Sequence, residues 1–178
     1  MKSLDSFFFQ AQEHRGKHMC GAYPYQQGDL LSFLVAVTKA KKILELGTGV
    51  GYSSAVMASV DTAIEIETID QDKSHVDLAR KNWQQLGLER QITTFVDKAE
   101  VVLPELTGPY DLIFFDGYSP SLKFIVQFGR LLKKEGLLIT ANMFLKDQLG
   151  GKYMRALQKT SRWQTMSVGD TTVALKLF

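Results

Sequence analysis

The stretch Ile43 to Ala55, ILELGTGVGYSSA, constrains the chain more than any other. Apolar, β-prone residues run into an acid, Glu45, and then into glycines at alternating positions, Gly47, Gly49 and Gly51, after which small residues open a helical pattern. The order reads as strand, tight loop, helix. A chain that leaves a buried strand and turns at once into a helix needs backbone angles that a Cβ disfavours, and bare backbone lets a ligand lie against the loop itself. The start of the helix then offers free N–H groups to that ligand. The spacing is G-x-G-x-G. A dinucleotide fingerprint, G-x-G-x-x-G, requires glycine where Tyr52 stands, which weakens a nicotinamide reading. Taken alone, the loop also suits an ordinary turn in a βαβ unit.

The remaining elements decide between these. Residues 26–41 carry Leu30, Leu31, Leu34, Val35 and Val37 at helical spacing, a core helix leading into the first strand. After the loop, AIEIETI at 63–69 is a second strand that ends on Asp70, about 20 residues past the glycines, where nucleoside-binding α/β folds place a carboxylate for the ribose hydroxyls. A helix N-cap is the competing role for Asp70, although Asp72 or Ser74 would cap the amphipathic helix that follows just as well. ITTFV at 92–96 is a third strand, with Lys98 and Ala99 in the polar loop beyond it, and YDLIFFD is a fourth that again ends on an acid, Asp116. A helix over 120–134 turns Leu122, Ile125, Val126, Phe128, Leu131 and Leu132 inward. A fifth strand, GLLIT, a basic helix over 146–160, and two strands joined at Gly169-Asp170 complete the chain. Alternating strands and helices predict an α/β fold with a doubly wound, mostly parallel sheet, helices on both faces and an antiparallel C-terminal hairpin.

With 178 residues, 45% of them hydrophobic, residues 1–178 suit a single domain, residues 1–25 forming an N-terminal leader or lid. No apolar run approaches the roughly 20 residues of a membrane span and no signal peptide is evident, so a cytoplasmic location without membrane contact is expected. Phe7, Phe8 and Phe9 cannot all face one core, so some are expected to cover a ligand cleft or a partner subunit, consistent with a homodimer. Cys20 is the sole cysteine, which excludes an internal disulfide and a cysteine-based zinc cluster and leaves a reduced, partly buried thiol. His14 and His18 stand at i, i+4, a metal-holding spacing on a helix, but with no third ligand nearby two solvated histidines are expected. The net charge of +2 divides unevenly: residues 1–120 carry 11 Lys+Arg against 16 Asp+Glu, residues 121–178 carry 10 against 3. Such a division suggests a basic face.

E-x-G-x-G-x-G after a hydrophobic strand resembles motif I of the class I S-adenosylmethionine (SAM) methyltransferases. From Gln26 to Phe178 the chain looks like their caffeoyl-CoA and catechol O-methyltransferase-like family, through YQQGDLLSFL, ILELGTGVGYSS, IDQDKSHVDLARKN, AEVVLPEL, YDLIFFDGYSP, EGLLITANMF and SVGDTTVALKLF. The resemblance implies a Rossmann-like seven-stranded sheet with one reversed strand, SAM as cofactor and O-methylation of a small-molecule acceptor. It places Glu45, Gly47, Gly49, Gly51 and Ser53 around the methionine moiety, with Thr48 in the same loop. It puts Asp70 on the ribose, Gln71 beside the adenosine, Lys98, Ala99, Gly117 and Tyr118 near the adenine, and Asp116 at the reacting end as the candidate catalytic residue.

Two departures bear on mechanism. The family holds a divalent cation with the acid after the fourth strand and an Asp-Asn pair after the fifth, and here that pair is Ala141-Asn142. The family's lysine three residues beyond the first acid is Ser119. Weak or absent metal dependence is the expectation, with no metal ligands assigned and with Asp116, Lys123, Lys146 or Asp147 left as the base. Two other readings stand beside this one: an RNA methyltransferase, suggested by Lys146, Lys152, Arg155, Lys159 and Arg162, and a non-catalytic SAM-binding protein.

Overall fold

The computed structural model describes residues 4–20, 23–117, 122–143 and 147–178. Helices α1 (Leu4–His18) and α2 (Gly28–Thr38) precede β1 (Lys42–Leu46). The chain then runs through α3 (Tyr52–Ala58), β2 (Glu65–Asp70), α4 (Lys73–Leu86), β3 (Ile92–Val96), α5 (Ala99–Glu105) and β4 (Tyr110–Phe115). It finishes with α6 (Leu122–Leu131), β5 (Leu132–Thr140), α7 (Asp147–Gln158), β6 (Trp163–Val168) and β7 (Thr171–Lys176). The sheet has seven strands in the order β3-β2-β1-β4-β5-β7-β6, with β7 antiparallel to both neighbours and the other pairings parallel. One reversed strand among seven agrees with the sequence reading, and the connection after β3 crosses the sheet so that the order reverses between β1 and β4.

The strands show their place in the sheet through side-chain alternation. Ile43, Leu112, Phe114, Ile139 and Val173 point to one face and pack with Phe7, Leu31, Val35, Met57 and Trp83 from α1 to α4. Leu44, Ile113, Phe115, Leu138 and Ala174 point to the other, against Leu103, Phe124, Phe128, Tyr153 and Leu157 from α5 to α7. Central strands therefore read as continuous apolar runs because both faces are covered. The edge strands β3 and β6 are mostly exposed and carry Thr93, Thr94, Gln164 and Ser167 instead.

The expected inward positions hold in part on two helices, α6 departing most. On α6 Phe124 and Phe128 are buried while Leu122 and Val126 are exposed, and Leu132 begins β5 rather than ending the helix. The aromatic pair sets the rotation: both rings lie within 5.9 Å of Phe115, and one i, i+4 pair of large rings outweighs the aliphatic positions on the opposite side. On α2, Leu31 and Val35 take the buried line and Val37 faces out. The basic helix α7 exposes Lys152 and Arg155.

α4 carries the largest buried side chain, Trp83. Its indole Nε1 donates to the Gly51 carbonyl at 2.8 Å, joining the helix to the glycine loop. Trp83→Phe keeps most of the apolar contact but removes one of the two donors to that carbonyl, which Ala55 N–H also reaches at 3.1 Å, and leaves a gap where the indole stood. Urea denaturation should show a loss of about 2 kcal/mol with an unchanged slope.

Candidate functional site

The order reversal between β1 and β4 opens a crevice at their carboxyl ends, the place where open α/β sheets bind ligands. A cavity of about 490 Å³ lies there. Its floor is the turn after β1, held so close to β4 that a Cβ on Gly47 would fall 2.8 Å from the Asp116 carbonyl oxygen. Gly47, Gly49 and Gly51 all have positive φ, at 98°, 49° and 88°, so both the turn and the approach require glycine.

Every inward atom of this loop is fastened from behind. Gly47 N–H donates to the Ile69 carbonyl at 2.9 Å, Thr48 and Thr68 hydroxyls lie 2.7 Å apart, and Asn82 Nδ2 donates to the Val50 carbonyl at 3.1 Å. Beneath the loop Glu45 is fully buried and accepts from Ser53 Oγ at 2.5 Å, Thr68 Oγ1 at 2.6 Å and Ser54 Oγ. Burial pushes the Glu45 carboxyl up to about 7, against the lowering effect of the three hydroxyls. Its position is structural: it ties β1 to the start of α3.

Asp70 lines the cavity at the end of β2. Its Oδ2 accepts from Gly49 N–H at 2.8 Å and its Oδ1 from Asp72 N–H at 2.9 Å, and each oxygen keeps a further lone pair for a ligand. The capping role falls instead to Asp72, which accepts from the backbone N–H groups of Ser74 and His75. Asp116 follows β4 and receives Asn142 Nδ2 at 2.6 Å on Oδ1. It keeps some surface open to the cavity yet lies deep in the molecule. Burial, and next the Glu45 charge, raise its carboxyl well above the usual range, with Asn142 opposing.

Of the residues singled out in the sequence, Gly47, Thr48, Gly49, Ser53, Asp70, Gln71, Lys98, Ala99, Asp116 and Gly117 line this one cavity. Glu45 and Gly51 stand behind the loop and do not line it. Tyr118, Ser119 and Lys146 lie outside the described residues. Lys123 is exposed on α6 and does not line the cavity.

The sequence reading did not place Tyr25, Phe124, Cys20 or His75 in the site, yet they also line it. Tyr25 donates to or accepts from Thr171 at 2.9 Å, a link to β7 that no local pattern encodes. The described part of the N-terminal leader contains one helix, α1. Phe7 and Phe8 pack edge-on against Tyr52 of α3, with ring centroids 6.0 and 5.2 Å away, and Ala11 reaches the cavity, while Phe9 is exposed. The histidine pair is not equally solvated: His18 is exposed, whereas His14 is half-buried with its Nε2 enclosed, and burial holds its pKa down.

A glycine cradle, a strand-end acid and a reversed seventh strand together define a Rossmann-like protein built around a nucleoside cofactor. The profile of a family described as O-methyltransferase matches residues 4–167. The catechol O-methyltransferase of Niastella koreensis is 34% identical over 158 residues, covering 83% of this chain and 70% of that one. That of Mycobacterium tuberculosis is 28% identical over 123 residues, 68% of this chain and 56% of its own. Among solved structures, the O-methyltransferase TomG of Streptomyces achromogenes in complex with SAM superposes with a TM-score of 0.88 at 21% identity, covering all of this chain and 91% of that one. The O-methyltransferase from Bacillus cereus in complex with SAH gives 0.85 at 20% identity, over 99% of this chain and 92% of its own. The chain belongs to the O-methyltransferase family. It is a SAM-dependent methyltransferase. No helix among the described residues is long and apolar enough to cross a membrane.

The raised carboxyl of Glu45 sets a pH dependence. The folded protein keeps a proton that the unfolded chain, with its ordinary value of 4.5, releases, so this contribution to stability is present below pH 4.5 and lost as pH rises through about 7. About 3 kcal/mol is at stake, and Asp116 adds in the same direction. Melting temperatures measured from pH 5 to pH 8 should fall with rising pH, and Glu45→Gln should flatten most of that fall.

Proposed function

We propose that this protein transfers the methyl group of SAM to a hydroxyl of a small molecule, with Asp116 as the base and without reliance on a bound divalent cation. The observation that carries the reading is the meeting of three strand ends on one cavity: the Gly47–Gly51 turn, Asp70 and Asp116. A volume of about 490 Å³ falls within the ~300–1,000 Å³ usual for small-molecule sites.

The residues present fit the cofactor. The bare backbone at Gly47 and Gly49 and the Ser53 side chain would take the methionine end, the free lone pairs of Asp70 the ribose hydroxyls, and Gln71, Lys98, Ala99 and Gly117 the adenosine side. They do not fit a magnesium ion. Such a site needs several oxygen ligands in near-octahedral array. Here one carboxylate oxygen of Asp116 is occupied by Asn142, and the neighbouring position, Ala141, is buried and has no ligand atom.

Bound SAM supplies an electrophilic methyl on a sulfonium; the acceptor oxygen forms a bond to that carbon as the carbon–sulfur bond breaks, and neutral S-adenosylhomocysteine leaves. The protein's part is alignment and removal of the acceptor's proton. Asp116 suits the second task because its environment makes it a stronger base than an ordinary carboxylate, better matched to a phenol of pKa near 10. The relatives named for catechol favour a phenolic acceptor.

Two variants separate binding from chemistry. Asp70→Asn should weaken SAM binding by about 10- to 100-fold in calorimetry, the value of a charge-assisted hydrogen bond or two. Asp116→Asn should leave SAM binding within a few-fold while lowering kcat by about 10²-fold or more. Transfer of labelled methyl groups, with EDTA present, should appear in a small phenolic fraction of a cell extract. Labelled RNA, SAM binding without any transfer, or transfer only on adding magnesium would each overturn the proposal.

A further inference from the structure

Beside the cavity, three groups converge that the proposed methyl transfer does not use. His14 lies on α1, Cys20 just beyond its C-terminus and His75 in the first turn of α4, and one ligand atom from each lies within 4.8 Å of the others. They come from positions 14, 20 and 75, so no spacing in the sequence announces them. His18, the partner that the sequence spacing offered His14, is exposed and not part of the group.

The chemistry of the group is that of a borderline-soft cation. Two imidazoles and a thiol match zinc, which is held by nitrogen and sulfur, and match magnesium or calcium poorly. His14 Nε2 is enclosed by protein and, among the described residues, has no hydrogen-bond partner. A buried polar nitrogen left unbonded is costly unless something else satisfies it. The His14 and His75 rings stand 5.4 Å apart at 72°, edge to face, while His18 stacks on the other side of His14 at 4.4 Å, so the two potential ligand rings are already neighbours. Asp72 Oδ2 lies 3.7 Å from His75 Nδ1, where metal-bound histidines commonly have an orienting carboxylate. Zinc–nitrogen and zinc–sulfur bonds of ~2.0 and ~2.3 Å set tetrahedral donors about 3.5 Å apart. Closing from the present spacing takes movements on the order of 1 Å, within reach of side-chain rotation.

We propose that His14, Cys20 and His75 form a zinc-binding site that pins α1 to α4 at the rim of the cofactor cavity. Three protein ligands leave a fourth position to water or to a group entering the cavity, which Cys20 and His75 both line. The site shares no residue with the Asp116–Asn142 pair, and its occupancy is tested without methyl transfer.

The test uses the full chain freed of metal by a chelator, with zinc or cobalt(II) chloride alone as the probe and no SAM present. Calorimetry should show one equivalent of zinc binding at low-micromolar Kd or tighter. Cobalt(II) should give the absorption of a tetrahedral site with a thiolate charge-transfer band. Cys20→Ser should abolish that band, and both it and His14→Gln should weaken zinc binding at least tenfold. Circular dichroism should report an intact fold for both variants, since neither position lies in the core. Zinc should also slow amide exchange across residues 4–18. Absence of saturable binding, a cobalt spectrum without a thiolate band, or an affinity unchanged in both variants would overturn the site. Unchanged exchange in α1 on saturation with zinc would overturn the pinning.

Discussion

The contact on which the site depends is backbone against backbone: the exit of β1 at Gly47 lies against the exit of β4 at Asp116, with no room for a side chain between them. Parallel strands that pair in register must diverge somewhere for a ligand to enter, and the order reversal at β1 and β4 is where the connections leave in opposite directions. Because the turn cannot drift away from β4, the carboxylate that follows β4 has a fixed distance to whatever lies on the turn. The glycine turn and Asp116, the proposed cofactor cradle and base, are thereby one rigid unit.

That unit is held by a second tier of polar contacts. Glu45, Thr68 and the serines of α3 form a buried cluster in which every carboxylate oxygen has a hydroxyl donor, and Asn82 and Trp83 donate to the Val50 and Gly51 carbonyls of the loop. A loop with three positive-φ glycines is entropically expensive to order. Interactions from β2, α3 and α4 converge on it, so its rigidity comes from neighbours rather than from its own sequence. Raising the Glu45 carboxyl is a cost of placing an acid there, offset by the hydroxyl network it organises.

This division explains what the sequence disclosed. Glycine spacing, the strand-end acids and the Gly169-Asp170 hairpin are local signals, each written within a few residues, and the fold follows them. Capping is local too, which is why Asp72 could be named as a substitute for Asp70. The phase of α6 was not legible, because Leu122 and Val126 are as apolar as Phe124 and only the position of Phe115 on β4 decides which side is buried. Thr68, Asn82 and Tyr25 were invisible for the same reason: each gains its role from a partner 20 to 146 residues away. Glu45 was legible as important and misread in place, since the same acid reads alike whether it faces the ligand or the loop behind it.

Alanine at position 141 bears on Asp116 as well as on any cation site. A second carboxylate there would sit near Asp116 and either bind a cation or raise the cost of charging both acids. With a methyl group in its place, Asn142 is free to donate its amide to Asp116, and the remaining influences on Asp116 are burial and the more distant Glu45. Burial strengthens a carboxylate as a base by disfavouring its charged form, the same direction in which a proton acceptor for a hydroxyl must be tuned. A cation acts oppositely: it lowers the pKa of the acceptor and of the carboxylates that hold it. In the mechanism proposed above, alanine at 141 leaves activation to the base rather than to a metal-bound acceptor.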